Sequence, residues 1–338
     1  MAKGMNTLRP LLAVVIAITA WMLDCSISFA QPDSLPSWND STAKQNIIGF
    51  VGRVTKSGGA DFVPEAQRVA VFDNDGTLWA EQPIYFQVAY AMDEIKKMAG
   101  SHPEWTEKQP FKAVLDGDHK VLATAGEHGL LEIMAATHSG MTTNSYNESV
   151  VEWLRSARHP RFDRLYTDLV YQPMLELLSY LRANGFRTFI VSGGGVEFMR
   201  CFADKVYGIP PEQIVGSSGD VKFEITSDGK AELIKEPKIE FIDDGFGKPV
   251  GINRFIGRQP IFAFGNSDGD QQMLEYTASG SGARFMGLVH HTDAAREWAY
   301  DRKSHVGKLD KALDEAKAKG WTVVDMKNDW KTIFPKLK

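Results

Sequence analysis

The chain has 338 residues, of which 43% are hydrophobic and 24% charged, and its formal net charge is −5. These proportions exclude a disordered, collagen-like or coiled-coil chain, and the negative balance gives no global field for nucleic acid. Two cysteines are too few for a disulfide framework, and no repeat at a period of roughly 20–50 residues points to a solenoid or propeller.

The N-terminus comes first. Lys3 and Arg9 precede an apolar run from Leu11 to Leu23, and Ser26-Ile27-Ser28-Phe29-Ala30 follows before Gln31-Pro32. A short basic region, a short apolar core and small residues at Ser28 and Ala30 form the pattern of a secretory signal peptide, cleaved near Ala30. As a helix the run reaches roughly 20 Å, short of the ~30 Å hydrocarbon thickness. The expectation is a periplasmic protein with no stable membrane insertion once residues 1–30 are removed. Cys25 leaves with that segment, and the remaining Cys201 is expected to be a buried, inert thiol.

Downstream, Ile47, Ile48, Phe50 and Val51 predict a leading helix, ended by Ser57-Gly58-Gly59. Residues 68–73 (Arg-Val-Ala-Val-Phe-Asp) are a short apolar run ending in an acid, as in a strand buried on both faces. From about residue 85 to 170 the pattern is helical without a convincing strand. That length is far too great for a simple connection and predicts an inserted helical cap. Residues 174–184 show helical periodicity closed by Gly185. Residues 188–192 form a second strand, and residues 221–234 predict a smaller inserted hairpin around Ser227-Asp228-Gly229-Lys230. Residues 261–265, 284–289 and 321–325 complete the apolar runs. Strands alternating with helices give an α/β fold, a doubly wound, mainly parallel sheet. Residues 31–84 and 171–338 are assigned to this core and residues 85–170 to the cap.

Ligands of open α/β sheets bind beyond the carboxyl ends of the strands. Three of those ends carry chemistry here: Asp73-Asn74-Asp75-Gly76-Thr77, Ser192-Gly193-Gly194-Gly195 and Gly265-Asn266-Ser267-Asp268-Gly269-Asp270. Carboxylates gathered without an obvious neutralising partner call for a cation, and an all-oxygen set favours Mg²⁺ over zinc. A hydroxyl followed by glycine amides suits a phosphate. Cation, phosphate site and a spare carboxylate together point to phosphoryl transfer.

The order Asp73-x-Asp75-Gly76-Thr77, Ser192, a lysine and the acidic 265–270 loop resembles the four motifs of the haloacid dehalogenase superfamily. Ser192-Gly193-Gly194 is most similar to its phosphoserine phosphatase-like branch. The resemblance implies that Asp73 is the nucleophile forming an aspartyl-phosphate. It implies that Asp75 protonates the leaving oxygen and then activates water, its backbone carbonyl joining Asp73 on Mg²⁺. Thr77, Ser192, Gly193 and the lysine would bind substrate, with Asn266 and Asp270 completing the metal site. Lys235, Lys238 and Lys248 all precede the acidic loop. Lys248 is favoured because Pro249 opens a helix there and sets the lysine at its N-terminus. Asn266 departs from the superfamily, whose members commonly have aspartate there. Either the metal binds more weakly, or Asp270 (less readily Asp268) supplies the carboxylate.

Other polar residues are less telling. Glu81 and Gln82 either meet the leaving group or are surface polarity. Arg155, Arg158, Arg161 and Arg164 read as a solvated basic face, and His119, His128, His138 and His159 as structural. His290-His291, ending a strand, lies near where the site rim would be. Trp298, Trp321 and Trp330 are expected to pack the C-terminal elements. The expected function is a Mg²⁺-dependent phosphomonoesterase for a small organic phosphate, phosphoserine being one candidate. A phosphomutase or a low-turnover phosphate-ligand binding protein are the alternatives. Asp75 disfavours true dehalogenation, since a halide leaving group needs no proton. The ester and the oligomeric state stay open.

Overall fold

The strands of the computed structural model are β1 (Val69–Phe72), β2 (Arg187–Gly195), β3 (Ile214–Ile225), β4 (Ala231–Phe241), β5 (Phe262–Gly265), β6 (Phe285–His290) and β7 (Thr322–Asp325). The structure describes residues 33–118 and 132–337, with Met1, Val121 and Gly129; the expected signal peptide therefore lies outside the described residues.

One sheet runs in the order β4-β3-β2-β1-β5-β6-β7, parallel throughout except for the β3–β4 pair. β1 pairs with β2 on one side and β5 on the other. The winding therefore reverses beside β1, which opens a crevice at its carboxyl end. Side-chain alternation divides the apolar residues between two layers. Ala70, Phe72, Ile190, Phe262 and Phe264 pack with Ile47, Phe50 and Val54 of the helix Thr42–Thr55 and Leu177, Leu178 and Leu181 of the helix Gln172–Ala183. Val69, Val71, Phe189, Val191, Ala263 and Leu288 pack with Met273 and Leu274 and with Ala312, Leu313 and Ala316 on the other face. Burial on both faces explains why these strands are continuous apolar runs.

The hairpin differs from the expectation of a small separate insert. Ile214 to Ser217 of β3 pair in parallel with β2, and from Ser218 onward the strand pairs with β4. Its turn is closed by the Gly229 amide donating to the Thr226 carbonyl at 2.9 Å, with Gly229 at φ 82°.

Between β1 and β2 the described residues contain no strand. The helices Phe86–Met98, Phe111–Asp116 and Thr143–Ser156 dominate the segment, with a further helical stretch at 132–138. Its outer part has its own cluster of Val88, Ala91, Met92, Ile95, Trp105 and Phe111. Its root, including Tyr90, Tyr146, Val150 and Trp153, joins the main core. The insert also touches the hairpin, the Gly140 amide donating to the Lys235 carbonyl and the Lys235 amide to the Met141 carbonyl, each at 2.9 Å. Trp298 packs against the insert's base, with the Arg161 guanidinium 4.2 Å from its ring centroid and His159 at 5.5 Å. Arg158 and Arg164 donate to the carbonyls of Asp163 and Pro335. Among the described residues no helix is long and apolar enough to cross a membrane.

Candidate active site

Asp73 directly follows β1, and its amide continues the ladder to the Phe264 carbonyl at 2.9 Å. Its carboxylate is buried at the bottom of the crevice. Three residues on, Gly76 turns the chain at φ 73°, and a Cβ there would lie 2.1 Å from Asn266 Nδ2. Glycine thus allows both the turn and the close approach of the two loops. The turn re-aims Asp75, whose Oδ1 accepts from Trp79 Nε1 at 2.8 Å while the side chain lines the cavity. Burial raises the Asp75 carboxyl to about 6, opposed by the Trp79 hydrogen bond and Lys248.

Of the three candidate lysines, Lys248 reaches this carboxylate. Its Nζ donates to Asp73 Oδ1 at 2.7 Å, Asp270 Oδ1 at 2.5 Å and the Val191 carbonyl at 3.0 Å. Lys235 pairs with Glu197 and Lys238 with Asp220 instead. Burial alone would lower the Lys248 ammonium, but Asp270 and Asp73 outweigh it and hold it well above the ordinary lysine range. Burial and Asp270 push Asp73 well above the usual aspartate range, against the pull of Lys248. One cation between buried carboxylates leaves the site short of positive charge.

Ser192 is buried at the end of β2, and its Oγ accepts from the Gly194 amide at 3.2 Å. Gly193 and Gly194 line the cavity, and the Gly195 amide donates to Gln87 Oε1 at 2.7 Å. Gln87 lies on the helix Phe86–Met98, so the insert reaches directly into the glycine loop.

The loop after β5 differs from its expected roles. Asp270 Oδ2 accepts from the amides of Asn266 (2.8 Å) and Ser267 (2.9 Å), and its Oδ1 holds Lys248. Both oxygens therefore organise the loop and the lysine, and the expectation that Asp270 supplies a metal ligand rests on the lone pairs left to them. Asp268 Oδ1 accepts the amides of Asp310 and Ala312 and so caps the helix Lys311–Lys319. Thr77, expected to bind substrate, is fully buried and donates to Asn266 Oδ1 at 3.0 Å; its place is between the loops.

Glu81 is not surface polarity; it lines the cavity beside Asp73 and Asp75. It is 1% exposed, and its Oε1 accepts from Asn266 Nδ2 at 2.8 Å and from the Tyr300 hydroxyl at 2.7 Å. Burial pushes its carboxyl well above the usual range. His291 lies behind the nucleophile loop, its Nε2 2.8 Å from the Gly76 carbonyl and its Nδ1 3.2 Å from Glu297. Asp243 went unnoticed in the sequence. It is fully buried, and neither of its carboxylate oxygens has a close, well-aligned hydrogen bond among the described residues. Only its place in an Asp-Asp-Gly sequence ahead of Lys248 could have drawn notice. Cys201 is half-buried, and burial pushes its thiol up to about 12, which keeps it protonated.

A cavity of about 1700 Å³ lies over these groups, lined by Asp73, Asp75, Ser192 and Lys248 below and by Gln87, Tyr146 and Lys235 above. Among the described residues no three His, Cys, Asp or Glu side chains form a metal cage. A cation would depend instead on the second Asp73 oxygen, the Asp75 carbonyl and the Asn266 side-chain oxygen. That all-oxygen set suits a hard ion such as Mg²⁺.

Residues 70–275 match the family of haloacid dehalogenase-like hydrolases. No curated protein matches the chain. A conserved, functionally unknown protein from Anaerococcus prevotii aligns over 87% of this chain and 94% of its own, at 15% identity with a TM-score of 0.55. That likeness establishes a shared fold. A protein of unknown function from Bordetella pertussis covers 77% of this chain and 99% of its own, at 17% identity and a TM-score of 0.47. A phosphoserine phosphohydrolase-like protein from Francisella tularensis covers 66% and 87%, at 21% identity and a TM-score of 0.37.

Proposed function

The chain belongs to the haloacid dehalogenase-like hydrolases, and from that premise we propose a Mg²⁺-dependent phosphomonoesterase working through an aspartyl-phosphate on Asp73. The observation that carries this reading is the buried Asp73–Lys248–Asp270 contact at the end of β1, beside a half-buried Asp75 raised to about 6. A carboxylate becomes a competent nucleophile toward phosphorus once charge on the phosphate is neutralised.

In the first half-reaction an Asp73 oxygen attacks phosphorus. The bond from phosphorus to the ester oxygen breaks, and Asp75 gives that oxygen its proton. In the second, water attacks the aspartyl-phosphate, Asp75 takes a proton from the water, and Asp73 and orthophosphate separate. Lys248 and Ser192 hold the phosphoryl oxygens, with the backbone at Gly193 beside them. Asp73, the Asp75 carbonyl and Asn266 would hold Mg²⁺, which when bound adds positive charge against the phosphoryl group. The substrate is a small organic phosphate, with phosphoserine-like esters among the candidates. Residues 1–30 support export to the periplasm.

The test is hydrolysis of an aryl phosphate by the full-length protein with and without Mg²⁺. Turnover is expected to require Mg²⁺ and to fall by at least about a hundredfold in Asp73→Asn. Metal-independent turnover, or an active Asp73→Asn, would sink the mechanism. Tight phosphate binding without turnover would favour a binding protein.

A further inference from the structure

Asn266 brings an amide, not a charge, to the loop that faces Asp73. Which end of that amide faces which neighbour is decided by its partners. An amide NH₂ only donates, so Glu81 Oε1, which also accepts from the Tyr300 hydroxyl, takes that end at 2.8 Å. The oxygen is thereby turned to the Thr77 hydroxyl at 3.0 Å, within the Asp73–Thr77 turn itself. Glu81 is held in turn by Tyr300, whose ring stacks on His291 at 4.3 Å, and His291 meets the Gly76 carbonyl.

The backbone is shaped around this contact. A Cβ on Gly76 would come within 2.4 Å of Glu81 Oε1, and one on Gly307 within 1.8 Å. Two glycines from distant parts of the chain thus close on one carboxylate. Glu81 also lines the cavity with Asp73 and Asp75, and both of those carboxylates act on it electrostatically.

We propose that Glu81 is the positioning residue of the cation site, fixing the Asn266 amide so that its oxygen stays turned to the nucleophile loop. This rests on the reading of Asp73, Asp75 and Asn266 as the Mg²⁺ site. Groups that orient metal ligands matter to affinity on a scale of about 10–100-fold.

The test is calorimetric titration of the full-length protein with Mg²⁺, alongside thermal unfolding. Glu81→Leu, which offers Asn266 no acceptor, is expected to weaken Mg²⁺ binding by about tenfold or more. Glu81→Gln keeps an acceptor oxygen in that place and should stay within a few-fold of the parent. Tyr300→Phe removes the other hydrogen bond to Glu81 but keeps the Asn266 contact, and it should retain Mg²⁺ affinity.

Unchanged Mg²⁺ affinity in Glu81→Leu, or a loss in Glu81→Gln as large as in Glu81→Leu, would overturn the proposal. So would a loss in Tyr300→Phe as large as in Glu81→Leu, because packing around Glu81 would then set affinity. A parent protein that binds no Mg²⁺ would instead remove the metal-site reading on which the proposal stands.

Discussion

At the scale of single residues, the site is dominated by one lysine and the carboxylates around it. Lys248 donates to Asp73, Asp270 and the Val191 carbonyl, so Lys248→Met leaves two buried carboxylates facing each other. Breaking a buried ion pair from one side costs about 3–5 kcal/mol. Urea unfolding of Lys248→Met should show a loss of that order together with loss of turnover; a stable, active variant would contradict the geometry. Asp243 poses the opposite case, a fully buried carboxyl. Burial raises it from the ordinary 3.8 to about 8, with Lys248 and the Ser192 backbone opposing and Asp244 adding to the shift. The native state therefore keeps a proton that the unfolded chain releases near 3.8. Stability contributed by this group is full at low pH, declines as pH rises toward 8 and is level above it. Asp243→Asn removes that slope, so its unfolding midpoint should gain on the parent between about pH 5 and pH 8; parallel profiles would refute the assignment. Asp73, Asp75 and Ser192 were legible because strand ends mark their positions, and Lys248 because it was placed at a helix start, where the helix Gly247–Gly251 holds it. Asp243 was not, because its burial depends on the missing side chain of Gly251, where a Cβ would lie 2.3 Å from Asp243 Oδ1.

At the scale of elements, apolar runs announced β1, β2, β5, β6 and β7. The parallel start of β3 was hidden, since only Ile214 and Val215 precede the polar stretch Gly216-Ser217-Ser218-Gly219. Nor did helical periodicity show that the helix Phe86–Met98 presents Gln87 to the glycine loop. That contact joins two elements 108 residues apart in sequence and arises only when the sheet is assembled. A Cβ on Gly195 would lie 2.6 Å from Gln87 Nε2, so the amide is seated tightly against the backbone. Gln87→Ala removes the acceptor for the Gly195 amide, a loss of about 0.5–1.5 kcal/mol in local order. With the loop that receives the phosphate loosened, KM should rise several-fold while kcat changes less. A fall in kcat at constant KM would place Gln87 in the chemistry instead.

At the scale of the whole molecule, the sequence divided the chain into a core and a helical cap, but the aromatic packing draws a different line. Tyr90, Tyr146 and Trp153 of the insert belong to one cluster with Phe198 and Phe202 of the core. Trp153 stacks on Tyr166 at 4.6 Å and lies 5.7 Å from Tyr90. Trp105 instead stacks on Phe111 at 4.7 Å within the insert's outer cluster. Periodicity finds a helix's apolar face but not which neighbour covers it, so the root and the outer part looked alike in sequence. The two tryptophans should consequently report on different units of stability. Trp153→Ala opens a cavity in the shared core and should lower global stability by about 3–5 kcal/mol, shifting every spectroscopic probe together. Trp105→Ala should act locally, speeding amide exchange in the helices Phe86–Met98 and Phe111–Asp116 while leaving exchange in β1 and β5 unchanged. If Trp105→Ala instead speeds exchange in the central strands as much as in those helices, the insert and the sheet unfold as one unit. Slow exchange in the sheet beside fast exchange in the outer helices would locate the movable part of the roof over Asp73 in the outer cluster, with its root fixed.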